Sequence, residues 1–326
     1  MHVTLLLPGA LLPREVVDAL AEPLEQSALA TMLTRAEVLG DTETAGPAHL
    51  AWLAEQLFQQ ELPLATAPYA HAALAGAPPA GIVWHADPIH LELARDHLVV
   101  TPLIRPPDDD EADALIDAAN VLAADMEARV LRVADRWFLL AARPWDLHAE
   151  ALSAAVGQPL PTALPTGVDA RRWNRLLTEI QMTWHAHPVN EAREASGEAT
   201  INSLWLHGGG AWSPLARGAY AAVLADAPEW RGAAQAASVA SAPADAAPGD
   251  ASLVVWDALL LPRLVQDWTG WVSALRELDE KTAALARSSA LDVVLAGGVT
   301  VRRLRSRPSD RLKFWRSRRV HQVLSE

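Results

Sequence analysis

A chain of 326 residues, 51% apolar and 21% charged, is long enough for one large core or two ordinary ones and too apolar to remain disordered. The absence of cysteine excludes disulfides, thiolate metal sites and a thiol nucleophile, so any metal would have to use His, Asp, Glu or Asn. The net charge of -13 is uneven: between Arg302 and Arg319 nine Lys or Arg stand against one acid, Asp310, and everything before is strongly acidic.

The opening MHVTLLLPGALLP has no basic flank, and its apolar run stops at Pro8 and Gly9, too soon for a signal peptide or an anchor. No later apolar run approaches the ~20 residues that span a bilayer, so the expectation is a soluble cytoplasmic protein without membrane partners. HVTLLL reads as a buried parallel strand, as do SLVVW at 252–256 and LDVVLAG at 291–297. GPAHLAWLAEQLF at 46–58 reads as a helix with Pro47 in its first turn, and 61–81 reads as a connector. WHADPIHLELARDH at 84–97 offers His85, Asp87, His90 and His97 as metal-binding side chains, although Pro88 interrupts any helical phasing and Asp87 can equally close a turn.

A helix is predicted over 108–127, with acids at its positive end, followed by two strands meeting at Ala134 and Asp135. RRWNRLLTEIQMTWHAH at 171–187 carries Trp173, Leu176, Leu177, Ile180 and Trp184 on one helical face and must stop before Pro188. His185 and His187 form an H-x-H pair that can ligate a metal or cap the helix C-terminus. A short helix is expected from Glu191 with Asn190 as its cap, then a strand at Leu204–Leu206. Gly208, Gly209 and Gly210 follow it, before a helix from Ser213, where backbone N–H groups could receive an anion. The Ala- and Pro-rich stretch 231–252 reads as a linker or mobile loop.

The basic stretch offers Arg302, Arg303, Arg305, Lys313, Arg316 and Arg318 to a polyanion, with Phe314 and Trp315 able to stack. No base-reading motif accompanies it, which argues against nucleic acid, and the same charges can dock on the chain's own acidic surface.

HPVNEAREASGEATINSLWLHGGG, residues 187–210, resembles the segment H-P-x-N-x-x-R-x-x-G-x-x-x-x-N-x-[IL]-W-x-x-G-x-G of archaeal-type cofactor-independent phosphoglycerate mutases. It is closer still to a mutase-like proteobacterial group of RpfE-type regulatory proteins. The matching positions are His187, Pro188, Asn190, Arg193, Gly197, Asn202, Leu204, Trp205, Gly208 and Gly210, and ADPIHL at 86–91 is similar to the second group. The resemblance implies an α/β fold with a mixed, largely parallel sheet flanked by helices, an alkaline phosphatase-like core and a mutase-like inserted region. In that superfamily two divalent metals on Asp and His ligands serve a Ser or Thr nucleophile.

Here the first strand runs into Pro8-Gly9 instead of Asp-Gly, no nucleophile segment follows, LLLPRLVQ after Asp257 lacks a histidine, and LDVVLAGG ends in glycines instead of Asp-His. Four losses imply a core that persists without its catalytic metals, because two-metal phosphoryl transfer needs both ions to neutralise developing charge.

The division expected is 1–230 as the mutase-like region, 231–252 as linker and 253–326 returning to the core. The function expected is a catalytically degenerate, regulatory or ligand-binding module without a cofactor, its partner a protein or a small phosphorylated or carboxylate ligand. That ligand would be held near His187, Asn190, Arg193, Asn202, Trp205 and Gly208 to Gly210. The alternatives are an active mutase or phosphatase with zinc or manganese on His85, Asp87, His90 and His185, and a polyanion binder acting through the basic stretch.

Overall fold

The structure, a computed structural model, describes every residue except Arg95, Asp96, Ile104, Phe314, Arg316 and Ser317, and of Pro161, Thr162 and Arg311 the backbone alone. Its strands in chain order are β1 (His2–Pro8), β2 (Glu37–Glu43), β3 (Ile82–Ala94), β4 (His97–Pro102), β5 (Ala128–Val133) and β6 (Arg136–Ala141). They continue with β7 (Ser203–Ala211), β8 (Ala222–Ala225), β9 (Ala240–Ala242), β10 (Ser252–Val255), β11 (Ala290–Ala296) and β12 (Thr300–Ser306). The chain divides into two units, Met1–Leu62 with Leu215–Glu326, and Pro63–Pro214. The second interrupts the first in sequence, so the boundaries fall at 62 and 214 and not at 230 and 253.

The first unit holds a seven-stranded sheet in the order β2-β12-β11-β1-β10-β8-β9. Its five strands from β11 to β9 are parallel and β12 and β2 are antiparallel additions. This is the mixed, largely parallel α/β sheet expected. β1 lies between β10 and β11, and Val3, Leu5, Leu6 and Leu7 are fully buried, which explains why HVTLLL is apolar without alternation. Leu5 and Leu7 share a core with Trp256, Trp271 and Leu275. The helix Trp268–Ser288 supplies Trp271 and Leu275 and begins at Asp267, whose side chain accepts from the Gly270 amide.

Residues 231–252, expected as a linker or mobile loop, carry regular elements within the first unit. They finish the helix Pro228–Ala236 and form β9, which pairs with β8; Ala244 is buried and its carbonyl accepts from the Trp256 indole at 3.1 Å. Small side chains here serve close packing, which composition alone does not distinguish from a linker.

The second unit is an antiparallel sheet, β4-β3-β6-β5, with β7 on the other edge of β3. Helical phasing across Pro88 does not arise: residues 84–94 belong to the thirteen-residue β3, Pro88 stands opposite Leu204 of β7, and His97 opens β4. The presumed connector 61–81 carries the helix Ala67–Ala75. The helix Asp109–Ala123 starts with the capping box of Asp108 and Glu111, and the strands meeting at Ala134 are β5 and β6.

The helix Ala170–His185 buries the apolar face read from the sequence: Trp184 stacks edge-on against Trp137 at 6.2 Å and donates to the Leu115 carbonyl at 3.0 Å. Among the described residues no helix is long and apolar enough to cross a membrane.

Leu5→Ala should lower unfolding free energy by about 2–5 kcal/mol, the cost of a cavity in a strand paired on both sides, measurable by urea denaturation.

Candidate functional site

The segment resembling the mutases forms a clamp. His187 does not end a helix; its ring accepts from the Val189 amide at 3.2 Å and caps the following helix, Pro188–Ala195, with Pro188 in its first turn. That helix therefore starts three residues before Glu191, and Asn190 lies inside it. Asn190 is 2% exposed; its amide group donates to the Trp184 and Ile201 carbonyls at 2.9 and 2.8 Å and its oxygen accepts from the Ile201 amide at 2.7 Å. Asn202 makes a two-point pair with the Leu91 backbone, and the Trp205 indole donates to the Glu150 carbonyl at 2.9 Å.

Arg193 is 1% exposed, and all three of its nitrogens are used. Nε donates to the Ala199 carbonyl, Nη2 to the Arg105 carbonyl and Nη1 to Glu111 Oε2, each at 2.8 Å. Glu111 also receives Arg105 at 2.8 Å, so the buried guanidinium lies within a four-member network with Glu198. A buried guanidinium whose three nitrogens all bond within the chain is closed off from an outside anion. The side chains expected to surround a ligand thus brace helix, loop and strand.

The glycines lie inside β7, and no helix begins at Ser213. A Cβ at Gly208 would collide with the Thr66 hydroxyl, at Gly209 with the Trp84 ring, and at Gly210 would stand 2.6 Å from the Ala65 Cβ. They are glycines because neighbours approach their backbone.

Two of the proposed metal residues converge, with a third partner the sequence did not single out. His207 of β7 lies 2.7 Å from Asp87 of β3, its ring stacked on His85 at 4.6 Å, and His85 Nε2 lies 3.2 Å from the Thr66 hydroxyl. The pairing of β3 with β7 places His85 opposite His207, a relation across 122 residues with no local signature. Burial pushes the Asp87 carboxyl up, but the hydrogen bond from His207 and the surrounding positive charge outweigh it and hold it at about 2. Burial, then the field of His207, lowers His85 to about 3. His90 is elsewhere, donating from Nδ1 to the Thr200 carbonyl at 2.9 Å, and His185 is exposed at its helix end. Among the described residues no group of three or more His, Asp or Glu is arranged to hold a metal ion.

The carboxyl ends of parallel strands are where open α/β sheets bind ligands. In the first unit those ends are β1 running into Gly9, β10 into Trp256-Asp257 and β11 into Gly297-Gly298. The Trp271 indole donates to the Gly9 carbonyl at 2.9 Å, and Arg263 Nε donates to the Leu11 carbonyl at 2.9 Å. Arg263 Nη2 and the Gly298 amide both donate to the carboxylate of Glu326, at 2.6 and 2.5 Å. His49 is 5% exposed; burial, then the Arg263 charge, lowers it to about 4. A separate cleft of about 510 Å³ is lined by Asp18, Glu25, Arg35, Arg318, Arg319 and His321, charges of both signs.

The basic stretch is largely engaged within the chain. Arg302 pairs with Asp41 and donates to the carbonyls of Gln322, Val323 and Ser325; Arg305 pairs with Asp292, Lys313 with Asp310, and Arg318 donates to the Ala36 carbonyl. Arg303 is exposed, while Arg316 and Phe314 lie outside the described residues. The stretch is strand β12 and a short 3-10 helix, Pro308–Leu312, which explains why its arginines meet acids on neighbouring strands.

Arg193→Met should cost about 3 kcal/mol, since Glu111 would keep only part of its pairing. The measurement is chemical denaturation at pH 7.

For pH, His49 and His85 are held neutral in the folded chain, so below pH ~6.5 the unfolded chain binds protons that the folded one refuses, and stability falls towards pH 4. Asp87 works at lower pH: its contribution is complete above about 3.8 and disappears as pH falls towards 2. Denaturation midpoints from pH 7 to 4.5 should therefore fall less steeply in the double variant His49→Gln, His85→Gln than in the parent.

No family model matches the chain, and no curated protein is similar to it. Among solved structures, a cofactor-independent phosphoglycerate mutase from Thermoplasma acidophilum is similar at 16% identity, over 94% of this chain and 89% of that one, with a TM-score of 0.40. The PH0037 protein from Pyrococcus horikoshii is similar at 14% identity, over 94% and 87%, with a TM-score of 0.47.

Proposed function

We propose that this chain is a regulatory or ligand-binding module on a phosphoglycerate mutase-like core, and that it does not carry out metal-dependent phosphoryl transfer. One observation carries the reading: past the ends of β1 and β11 stands an Arg263–Glu326 ion pair, held by the Leu11 carbonyl and the Gly298 amide. Two divalent cations need converging carboxylates and imidazoles, and a fixed guanidinium at that point repels them. The donor set there does not fit two metals. The resemblance in residues 187–210 supports common architecture and adds no chemistry, because its polar side chains are bonded within the chain.

The pair of His207 and Asp87 gives the alternative, a zinc or manganese enzyme, less support than the sequence suggested. His85 and His207 lie stacked at an interplanar angle of 20°, so their nitrogens occupy nearly parallel planes and do not converge.

After growth and dialysis with zinc and manganese, elemental analysis should find substoichiometric metal, and a generic phosphate ester should not be hydrolysed. Stoichiometric metal together with turnover would overturn the reading.

A further inference from the structure

At the carboxyl end of the parallel sheet a carboxylate of the chain meets a guanidinium and a backbone amide. Glu326 Oε1 receives two donors, Arg263 Nη2 and the Gly298 amide. Both come from the neighbourhood of the central strands: Arg263 from the short helix after β10, and Gly298 from the turn joining β11 to β12. The carboxylate lies against Gly297, where any Cβ would collide with it; at Gly298 the same built atom would meet Arg263 Nη2 at 3.5 Å and the Glu326 oxygens at 3.6 and 3.9 Å. Glycine at 297 thus opens the space that an oxyanion needs.

A guanidinium and a backbone N–H aimed at one oxygen form a charge-assisted pattern that suits phosphate or carboxylate. Arg263 is fixed by its bond to the Leu11 carbonyl and its side chain is 16% exposed, while that of Glu326 is 28% exposed. The Ala48 amide donates to the Gly298 carbonyl at 2.9 Å, and the buried Nδ1 of the adjacent His49 has no hydrogen-bond partner among the described residues.

Glu326 is delivered by its backbone. Its amide donates to the Leu12 carbonyl, the Leu12 amide donates to the Leu324 carbonyl, and Arg302 holds three carbonyls of residues 322–325. The side chain can therefore rotate out of the cradle while the segment stays docked.

We propose that Arg263, the Gly298 amide and the open face of Gly297 form a binding site for a small phosphate- or carboxylate-bearing ligand, and that Glu326 occupies it as an intrachain competitor. The inference rests on the reading of the chain as a ligand-binding module and names the class of its ligand. A ligand must displace Glu326, so its apparent affinity is reduced by the fraction of time the cradle is open.

The test titrates inorganic phosphate, and separately acetate, into the full chain and into Glu326→Gln, following the Gly298 amide by NMR. Glu326→Gln keeps the side-chain size and removes the charge, so it should bind at least one of the two anions about tenfold more tightly than the parent, with the Gly298 signal shifting. Adding Gly297→Ala places a Cβ in the cradle without touching Arg263 and should abolish that gain in a protein whose thermal melt shows it folded. The better-bound anion decides between phosphate and carboxylate.

Equal or absent binding of both anions in the parent and Glu326→Gln overturns the proposal, as does a gain that survives Gly297→Ala. If the anions fail while metal and turnover are also absent, this inference falls and the module reading stands. Stoichiometric metal with turnover removes both.

Discussion

The larger unit depends on β1 being hydrogen-bonded in parallel on both edges, to β10 and to β11. A strand in that position has side chains buried on both faces and backbone groups already paired, so it offers solvent only its two ends. Chemistry in such a sheet belongs at the carboxyl ends, and whatever closes those ends decides what the unit can do. Here they are closed by Trp271 on Gly9, by Arg263 on Leu11 and by Glu326 on Arg263 and Gly298. All three are ordinary hydrogen-bonding solutions, and together they bring an indole, a guanidinium and a carboxylate to the carboxyl end of the sheet.

The smaller unit applies the same rule of satisfied polar groups to a different end. Arg193 is almost wholly buried, and taking a guanidinium out of water is costly unless each donor is met. Glu111 and two carbonyls meet it, while Asn190 and Asn202 bond in two directions to backbone across the loop and to β3. A set of polar residues at such regular spacing resembles an active site in sequence because both need specific side chains at specific places. The distinction lies in whether the hydrogen bonds point inward to the chain or outward to a ligand. In this segment they point inward.

The apolar patterns were legible in the sequence. β1, β10 and β11 follow from continuous apolar runs, the helices Asp109–Ala123 and Ala170–His185 from their stripes, and β5 with β6 from a turn at Ala134. Local rules failed where tertiary contact replaced them. Pro88 sits within a long strand, the stretch 231–252 packs its alanines against the sheet, and His187 caps the helix after it.

The sequence by itself determined the mixed α/β character, the absence of thiol chemistry and the absence of carboxylates and histidines immediately after β1 and β11, because these follow from residue identity and short-range periodicity. Only the tertiary structure decided that His207 pairs with Asp87, that Arg302 and Arg305 are neutralised by Asp41 and Asp292, and that Glu326 reaches Arg263 and Gly298. Each of those partners is set by strand register or by the return of a distant segment. Coulombic and hydrogen-bond contacts between residues many positions apart leave no periodic trace in the chain that makes them.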